Sequence, residues 1–159
     1  MKPTLGLTLL GVLVGCGNGA GTTATPGPER PVATPPIGES VVDALPLERG
    51  FFVDAGTSCA QASNATLTLH HGSGFGAARE NCDFDRIVRT APATYTVAQT
   101  CIDIQGGSAE SSTVVFEIES PTAFSGDNRT YDWKYSARHC PQSELPEPWR
   151  SNDISDVMD

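Results

Sequence analysis

The sequence predicts an all-β domain, a small antiparallel barrel or sandwich of about six strands with two disulfides. Short segments in which apolar and polar residues alternate are separated by turn-forming residues at regular intervals, which is typical of such folds. Residues 47–150 also contain four cysteines, an even number that can form two bridges. A segment of this length can bury one hydrophobic core and is too short for two.

Six segments carry the strand pattern. They are 50–53, 65–71, 80–89, 95–103, 113–119 and 130–139. In the second of them, Leu67 and Leu69 alternate with threonines, which is the period of a strand with one buried face. Turn signals separate the candidate strands at 72–76, Ala91-Pro92, Gly106-Gly107 and Gly126-Asp127-Asn128.

Two candidate strands present a regular apolar or aromatic face. Val114, Phe116 and Ile118 form one stripe, and the last candidate strand carries the aromatic stripe Tyr131, Trp133 and Tyr135. The two stripes can face each other across a core. Tyrosine and tryptophan are amphipathic, so the aromatic stripe can instead line a ligand cleft. The three aromatic residues are therefore candidates for a binding surface.

The first sixteen residues have the pattern of an export signal. Lys2 precedes an apolar run over 5–13 that is too short to cross a bilayer. With Cys16 directly after Leu13-Val14-Gly15, they resemble a bacterial lipoprotein signal that ends in a lipobox. The resemblance implies cleavage before Cys16, acyl chains on Cys16, and a protein that faces the periplasm. Gly17 in place of an aspartate implies transfer to the outer membrane.

The mature chain divides into a tether, a β-domain and a tail. Residues 16–46 are rich in Pro, Gly and Thr, so we expect a disordered tether. Residues 47–150 form the β-domain, and 151–159 form an acidic flexible tail. The formal net charge of −9 argues against a nucleic-acid partner, because phosphates require clustered Lys and Arg. The expected partners are the membrane, through acyl chains on Cys16, and an envelope protein or glycan.

Cysteine positions predict a disulfide pattern. Cys82 and Cys101 lie symmetrically about Ala91-Pro92, so a hairpin that turns there places them opposite each other. That pairing leaves Cys59 with Cys140. Cys140 has the outward parity of its strand, so this bridge requires a bulge or an end of the strand at His139. Pairing of Cys59 with Cys82 and of Cys101 with Cys140 is the alternative.

The sequence contains no evident catalytic or metal-binding set, and we predict no cofactor. His70 and His71 are adjacent on a candidate strand, so they point to opposite faces and cannot chelate one ion. His139 lies beside Cys140, but a disulfide-bonded sulfur offers no thiolate. These observations favour a non-enzymatic protein.

The β-domain loosely resembles small envelope lipoproteins of proteobacteria. The resemblance rests on the segment 50–53 followed by Cys59, on Cys82 and Cys101 near strand ends, and on the aromatic strand leading to Cys140. It implies no activity.

A second resemblance adds two residues to the candidate binding surface. Ser73-Gly74, with the nearby Arg79, is similar to the inhibitory loop of membrane-bound lysozyme inhibitors, although the arginine is displaced and the loop tyrosine is missing. We therefore expect a lipid-anchored envelope lipoprotein whose β-domain binds an envelope protein, a glycan or a small ligand. A lysozyme-type inhibitor and a small periplasmic hydrolase are the alternatives.

Overall fold

Nine β-strands account for most of the computed structural model, which describes residues 38–158. In chain order they are β1 Ser40–Val42, β2 Gly50–Asp54, β3 Leu67–His70, β4 Gly74–Gly76, β5 Glu80–Arg89, β6 Thr94–Asp103, β7 Glu110–Ser120, β8 Ala123–Asn128 and β9 Trp133–His139. The only α-helix in this part of the chain is α1, Ser155–Met158, of four residues. No helix within residues 38–158 has the length and apolar character needed to cross a membrane. The expected signal peptide, Cys16 and the tether up to residue 37 lie outside the described residues.

Strands β2 to β9 form a closed, antiparallel, up-and-down barrel. Each strand pairs with the next along the chain, and β9 returns to pair with β2, with Val53 opposite Arg138. The prediction of an all-β barrel or sandwich is confirmed. The structure has more strands than the six expected, because the pattern does not reveal β1, β4 and β8. Gly126-Asp127-Asn128, which predicted a turn, is the end of β8, where Gly126 pairs with Tyr135.

One end of the barrel is closed by the chain that leads into β2. β1 pairs with Ile87–Arg89 of β5, beyond the three-residue strand β4, and a bulge between Phe84 and Arg86 separates the two pairings. The segment after β1 then buries Leu45 and Leu47 in the barrel core. The amide of Glu48 donates to the carbonyl of Pro121 at 2.8 Å. Residues 38–46 of the expected tether are thus part of the folded domain.

The barrel interior is packed with aromatic and branched side chains near its closed end. Phe52, Phe75, Phe116 and Phe124 form five ring pairs with centroids 5.3–6.4 Å apart, two of them edge to face. The stripe of Val114, Phe116 and Ile118 predicted from the sequence forms part of this core. Such packing gives the closed half of the barrel most of its stability.

A second hydrophobic cluster lies outside the barrel wall. Phe51 and Val53 of β2 and Leu67 of β3 have the opposite parity to Phe52, and they pack against Leu145 and Ile154 of the C-terminal segment. This explains why β2 is buried on both faces. Part of the acidic segment 151–158 therefore packs on the domain, with Ile154 buried.

The two disulfides have the predicted pairing. Cys82 and Cys101 are direct cross-strand partners in β5 and β6. Cys59 pairs with Cys140, and both belong to the outer cluster. β9 ends at His139, so Cys140 keeps its outward direction and meets Cys59 outside the barrel wall.

Candidate functional site

The end of the barrel opposite Leu45 opens into a cavity of about 320 Å³. We call this end the open mouth. Four connections surround it: residues 55–66, 77–79, 104–109 and 129–132. The lining combines aromatic, amide, hydroxyl and carboxylate side chains with one disulfide; it includes Asp54, Phe75, Glu80, Cys82, Gln99, Cys101, Glu110, Ser112, Phe124, Asn128, Tyr131, Trp133 and Tyr135.

The cavity exists because the inward-facing residues change character along each strand. In β6 the inward residues are Tyr95 and Val97 near the closed end, and then Gln99 and Cys101 towards the mouth. In β7 the order towards the mouth is Ile118, Phe116, Val114, Ser112 and Glu110. The polar and shorter side chains fill less of the interior, so space remains above the aromatic core.

One wall of the cavity is an aromatic stack. The rings of Trp133 and Tyr135 lie parallel within 15°, with centroids 4.6 Å apart. Tyr135 also meets Phe116 and Phe124 edge to face, so it joins the wall to the barrel core. Its ring lies flat over Gly126, where a Cβ would come within 2.5 Å of two ring carbons. Glycine is therefore required at this position for the stack to keep its place.

Trp133 is the outer member of the stack and is 58% exposed although it is a large aromatic residue. Tyr131, 56% exposed, stands beside it at the rim. Its hydroxyl donates a 2.7 Å hydrogen bond to Oε2 of Glu110, which raises the pKa of Tyr131. The backbone amides of Thr130 and Tyr131 both donate to Oδ1 of Asn128, which fixes the turn that carries Tyr131.

The facing wall is polar. The side-chain amide of Gln99 donates to Oγ of Ser112 at 3.2 Å and to Sγ of Cys101 at 3.3 Å. A carboxylate oxygen of Glu80 lies within 4.8 Å of the sulfurs of Cys82 and Cys101. Because both sulfurs belong to a disulfide, neither is a thiolate, and this trio is not a metal site.

Three carboxylates line the cavity, those of Asp54, Glu80 and Glu110. Burial raises the pKa of Asp54, and burial also raises the pKa of Tyr135 above its ordinary value, with a further contribution from the charge of Glu80. A groove of about 430 Å³ adjoins the cavity and shares Glu80, Cys101 and Glu110 with it. On its outer side Arg79 lies 3.5 Å from Asp103.

The structure brings together four of the five residues proposed as a binding surface. Tyr131, Trp133 and Tyr135 line the cavity, and Arg79 lines the adjoining groove. Ser73 lies at the other end of β4, in the turn that follows β3. The segment from Ser73 to Arg79 is therefore a barrel strand with its flanks, and it does not project as an inhibitory loop.

Sequence reasoning did not identify Glu80, Gln99, Glu110 and Ser112 as site residues. A usable signal was present in β6 and β7, where the same face of a strand changes from apolar to polar residues. A strand that is only a core element keeps its inward residues apolar over its whole length.

None of the three histidines lines the cavity. His70 is only 1% exposed and packs among Phe52, Phe75 and Phe84. Its Nδ1 donates to the carbonyl of Glu48 at 2.9 Å, while Nε2 has no hydrogen-bond partner within residues 38–158. Burial is the main cause of a lowered pKa of His70. This residue is a neutral core histidine.

Comparison of the chain with protein-family models, with curated proteins and with solved structures gives no match.

Proposed function

We propose that the barrel is a non-enzymatic binding domain that takes one small, largely apolar molecule into the cavity at its open mouth. The observation that carries the proposal is the cavity itself, about 320 Å³ in volume, with an aromatic wall facing a few polar groups. Small-molecule sites are concave, mostly apolar and at least about 300 Å³ in volume, with a few polar groups that orient the ligand.

The dimensions of the barrel support this proposal. An eight-stranded barrel has an interior that side chains can just fill, or that can hold one small ligand. Here Phe52, Phe116 and Phe124 fill the closed half. At the mouth, Gln99 and Ser112 leave part of the interior empty. Tyr131 and Trp133 together form an exposed aromatic patch at the rim, and a patch of this kind beside a cavity is typical of a binding site.

Binding is favoured over hydrolysis by the chemistry of the lining. The described residues around the cavity include no histidine, and both cysteines there are disulfide-bonded. A serine nucleophile needs a base within hydrogen-bond reach. Ser112 instead accepts a hydrogen bond from the Gln99 amide, which cannot remove its proton.

We further propose that Cys16 is acylated and holds the domain in the cell envelope, facing the periplasm, with the outer membrane as its destination. Support comes from the lipobox-like Leu13-Val14-Gly15-Cys16 and from the two disulfides, which persist in oxidising compartments. Cys16→Ser should abolish labelling by a fatty-acid probe and release the protein from the membrane fraction. Unchanged labelling and membrane retention of Cys16→Ser would contradict the anchor.

A pair of adjacent serines on β7 tests the binding site. Ser112 faces the cavity, whereas Ser111 faces solvent. We expect the neutral fluorophore N-phenyl-1-naphthylamine to bind saturably to the native protein. Ser112→Phe places a phenyl ring in the cavity, so it should weaken binding by at least about tenfold, equivalent to about 1.4 kcal/mol. Ser111→Phe, which adds the same ring outside the barrel, should bind as the native protein does.

Near-ultraviolet circular dichroism shows whether each variant retains its packed aromatic core. If a folded Ser112→Phe protein binds the fluorophore as tightly as Ser111→Phe does, the probe lies elsewhere and the proposed function is wrong. Absence of binding to the native protein would also contradict it.

A further inference from the structure

The charged side chains that line the cavity are all acidic. Its lining includes three carboxylates, Asp54, Glu80 and Glu110, and no Lys, Arg or His among the described residues. Its formal charge is therefore −3 when all three are ionised. The connections around the mouth contain two arginines. Arg79 lies on the adjoining groove beside Asp103, Arg129 pairs with Asp127, and neither lines the cavity.

The carboxylates stand close to an open aromatic face. Trp133 is the outermost ring of the stack and exposes more than half of its surface. Glu110 is tied to the neighbouring Tyr131 by a 2.7 Å hydrogen bond, so its carboxylate is held at the same rim. A cation placed over the face of an indole or phenol ring is attracted by the ring quadrupole, and nearby carboxylates strengthen that attraction.

The positions of the two glutamates indicate where a ligand charge would lie. Glu80 and Glu110 line both the cavity and the adjoining groove, so they stand at the boundary between the two. Deeper in the cavity the surface is apolar, with Phe75, Phe124 and the ring of Tyr135. The hydroxyl of Tyr135 donates to no residue in the part of the chain that the structure describes, which leaves it free to bond a ligand.

We propose that the ligand is a small organic cation. Its apolar or aromatic body lies in the cavity against Trp133 and Tyr135, and its ammonium or guanidinium group lies at the mouth between Glu80 and Glu110. This inference rests on the proposed function, because it names the chemical class of the molecule that the cavity takes. An anion of the same shape is repelled by the three carboxylates, and a neutral one gains nothing from them.

Two probes of nearly identical shape test the charge. Phenyltrimethylammonium is a cation, and tert-butylbenzene is its neutral counterpart. We expect the native protein to bind the cation at least about tenfold more tightly than the neutral molecule. Binding is measured for both by saturation-transfer NMR and by competition with N-phenyl-1-naphthylamine.

A matched pair of double variants locates the charge. Glu80→Gln combined with Glu110→Gln removes both carboxylates from the mouth and keeps the shape of each side chain. It should lower the affinity for phenyltrimethylammonium about tenfold and leave that for tert-butylbenzene unchanged. Glu119→Gln combined with Glu144→Gln removes two exposed carboxylates elsewhere and gives the same net charge. This control should bind both probes as the native protein does.

The possible failures are distinguishable. If the two probes bind equally well to the native protein, the ligand is not selected as a cation. The same conclusion follows if both double variants lower the affinity for phenyltrimethylammonium equally. In either case the cavity remains a binding site. If neither probe binds although the fluorophore does, the cationic class is likewise wrong and the cavity remains a binding site. If the fluorophore also fails to bind to the native protein, the proposed function fails together with this inference.

Discussion

The two ends of the barrel are built from the same strands and differ in the side chains that those strands direct into the interior. At the closed end, the inward residues of β5 and β9 are Ile87, Phe84 and Ala137, which pack in the core. Towards the mouth, the inward residues of β5 are Cys82 and Glu80, and those of β9 are Tyr135 and Trp133. At the closed end these side chains are buried in the core or packed against it, whereas the mouth keeps a cavity, three carboxylates and an exposed tryptophan.

This difference indicates that the closed end stabilises the fold and that the mouth binds a ligand. Buried apolar area stabilises a fold roughly in proportion to its extent, so the closed end should dominate the free energy of unfolding. Residues at the mouth bury little area and can be selected for the molecule that they contact. Substitutions at the closed end should therefore change stability, and substitutions at the mouth should change binding.

The largest effect is expected from truncation at the centre of the closed half. Phe116 is completely buried and contacts four other aromatic rings. Phe116→Ala should lower the free energy of unfolding by about 3–5 kcal/mol, since it removes a buried ring and leaves a cavity. Trp133→Ala, at the mouth, should lower it by less than about 1 kcal/mol. Urea denaturation of both proteins gives the comparison, and equal losses would remove the distinction between the two ends.

The next effect concerns the segment that closes the barrel. Leu45 is buried in the main core although it belongs to the segment expected to be a disordered tether. Leu45→Ala should cost about 2–4 kcal/mol in the free energy of unfolding, as other buried leucines do. Val41→Ala, in the same segment but 63% exposed, is the control and should leave unfolding of the domain nearly unchanged. If Leu45→Ala also has no effect on thermal or urea denaturation, the closed end does not depend on this segment.

A third prediction uses the buried histidine of the closed end. Burial lowers the pKa of His70 in the folded state, so the unfolded chain binds the proton more readily. The native protein should therefore lose stability as the pH falls below the ordinary value of 6.5 towards the lowered folded value. His71 and Arg49 add positive charge near this ring and act in the same direction.

His70→Asn keeps a donor for the carbonyl of Glu48 and cannot take up a proton. Its stability should fall less than that of the native protein between pH 7.5 and pH 5, when both are measured by urea denaturation. The carboxylates are common to the two proteins, so the difference between their slopes belongs to His70. Identical slopes would show that folding does not lower the pKa of His70.

A smaller effect on stability than at Phe116 or Leu45, with a clear effect on binding, is expected at Gly126. A methyl group there meets the ring of Tyr135, which must move towards the cavity. Gly126→Ala should weaken binding of N-phenyl-1-naphthylamine several-fold and cost about 1–2 kcal/mol of stability. Gly56→Ala, at a mouth loop where a Cβ meets nothing within 4 Å, is the control and should change neither quantity. Equal binding by both variants would show that the stack does not shape the site.

Strands in which apolar and polar residues alternate strictly were predictable from the sequence. Val114, Phe116 and Ile118 mark a strand face without ambiguity, and the symmetry of Cys82 and Cys101 about Ala91-Pro92 identifies both the hairpin and its bridge. The three strands that were missed are short or contain turn-forming residues. Gly126 illustrates the reason: a glycine in a strand looks like a turn until the ring that lies over it is known.

The site was less predictable than the fold. Tyr131, Trp133 and Tyr135 could be selected as a stripe, but the sequence leaves open whether that stripe is core or cleft. In the structure the stripe has both roles, since Tyr135 packs against the core and Trp133 remains exposed. Glu80 and Glu110 come from distant segments that only barrel closure brings together, so local patterns cannot place them at one mouth.

The most direct test of the division between the two ends is an NMR titration of the full-length protein with phenyltrimethylammonium. The chain has two tryptophans, Trp133 at the mouth and Trp149 beside the outer cluster. We expect large, saturable shifts of the Trp133 indole N–H and of the Gln99 side-chain amide. The Trp149 indole and the amides of Leu45 and Leu47 should stay in place. Shifts centred on Trp149 or on the closed end, with Trp133 unmoved, would contradict a binding site at the open mouth.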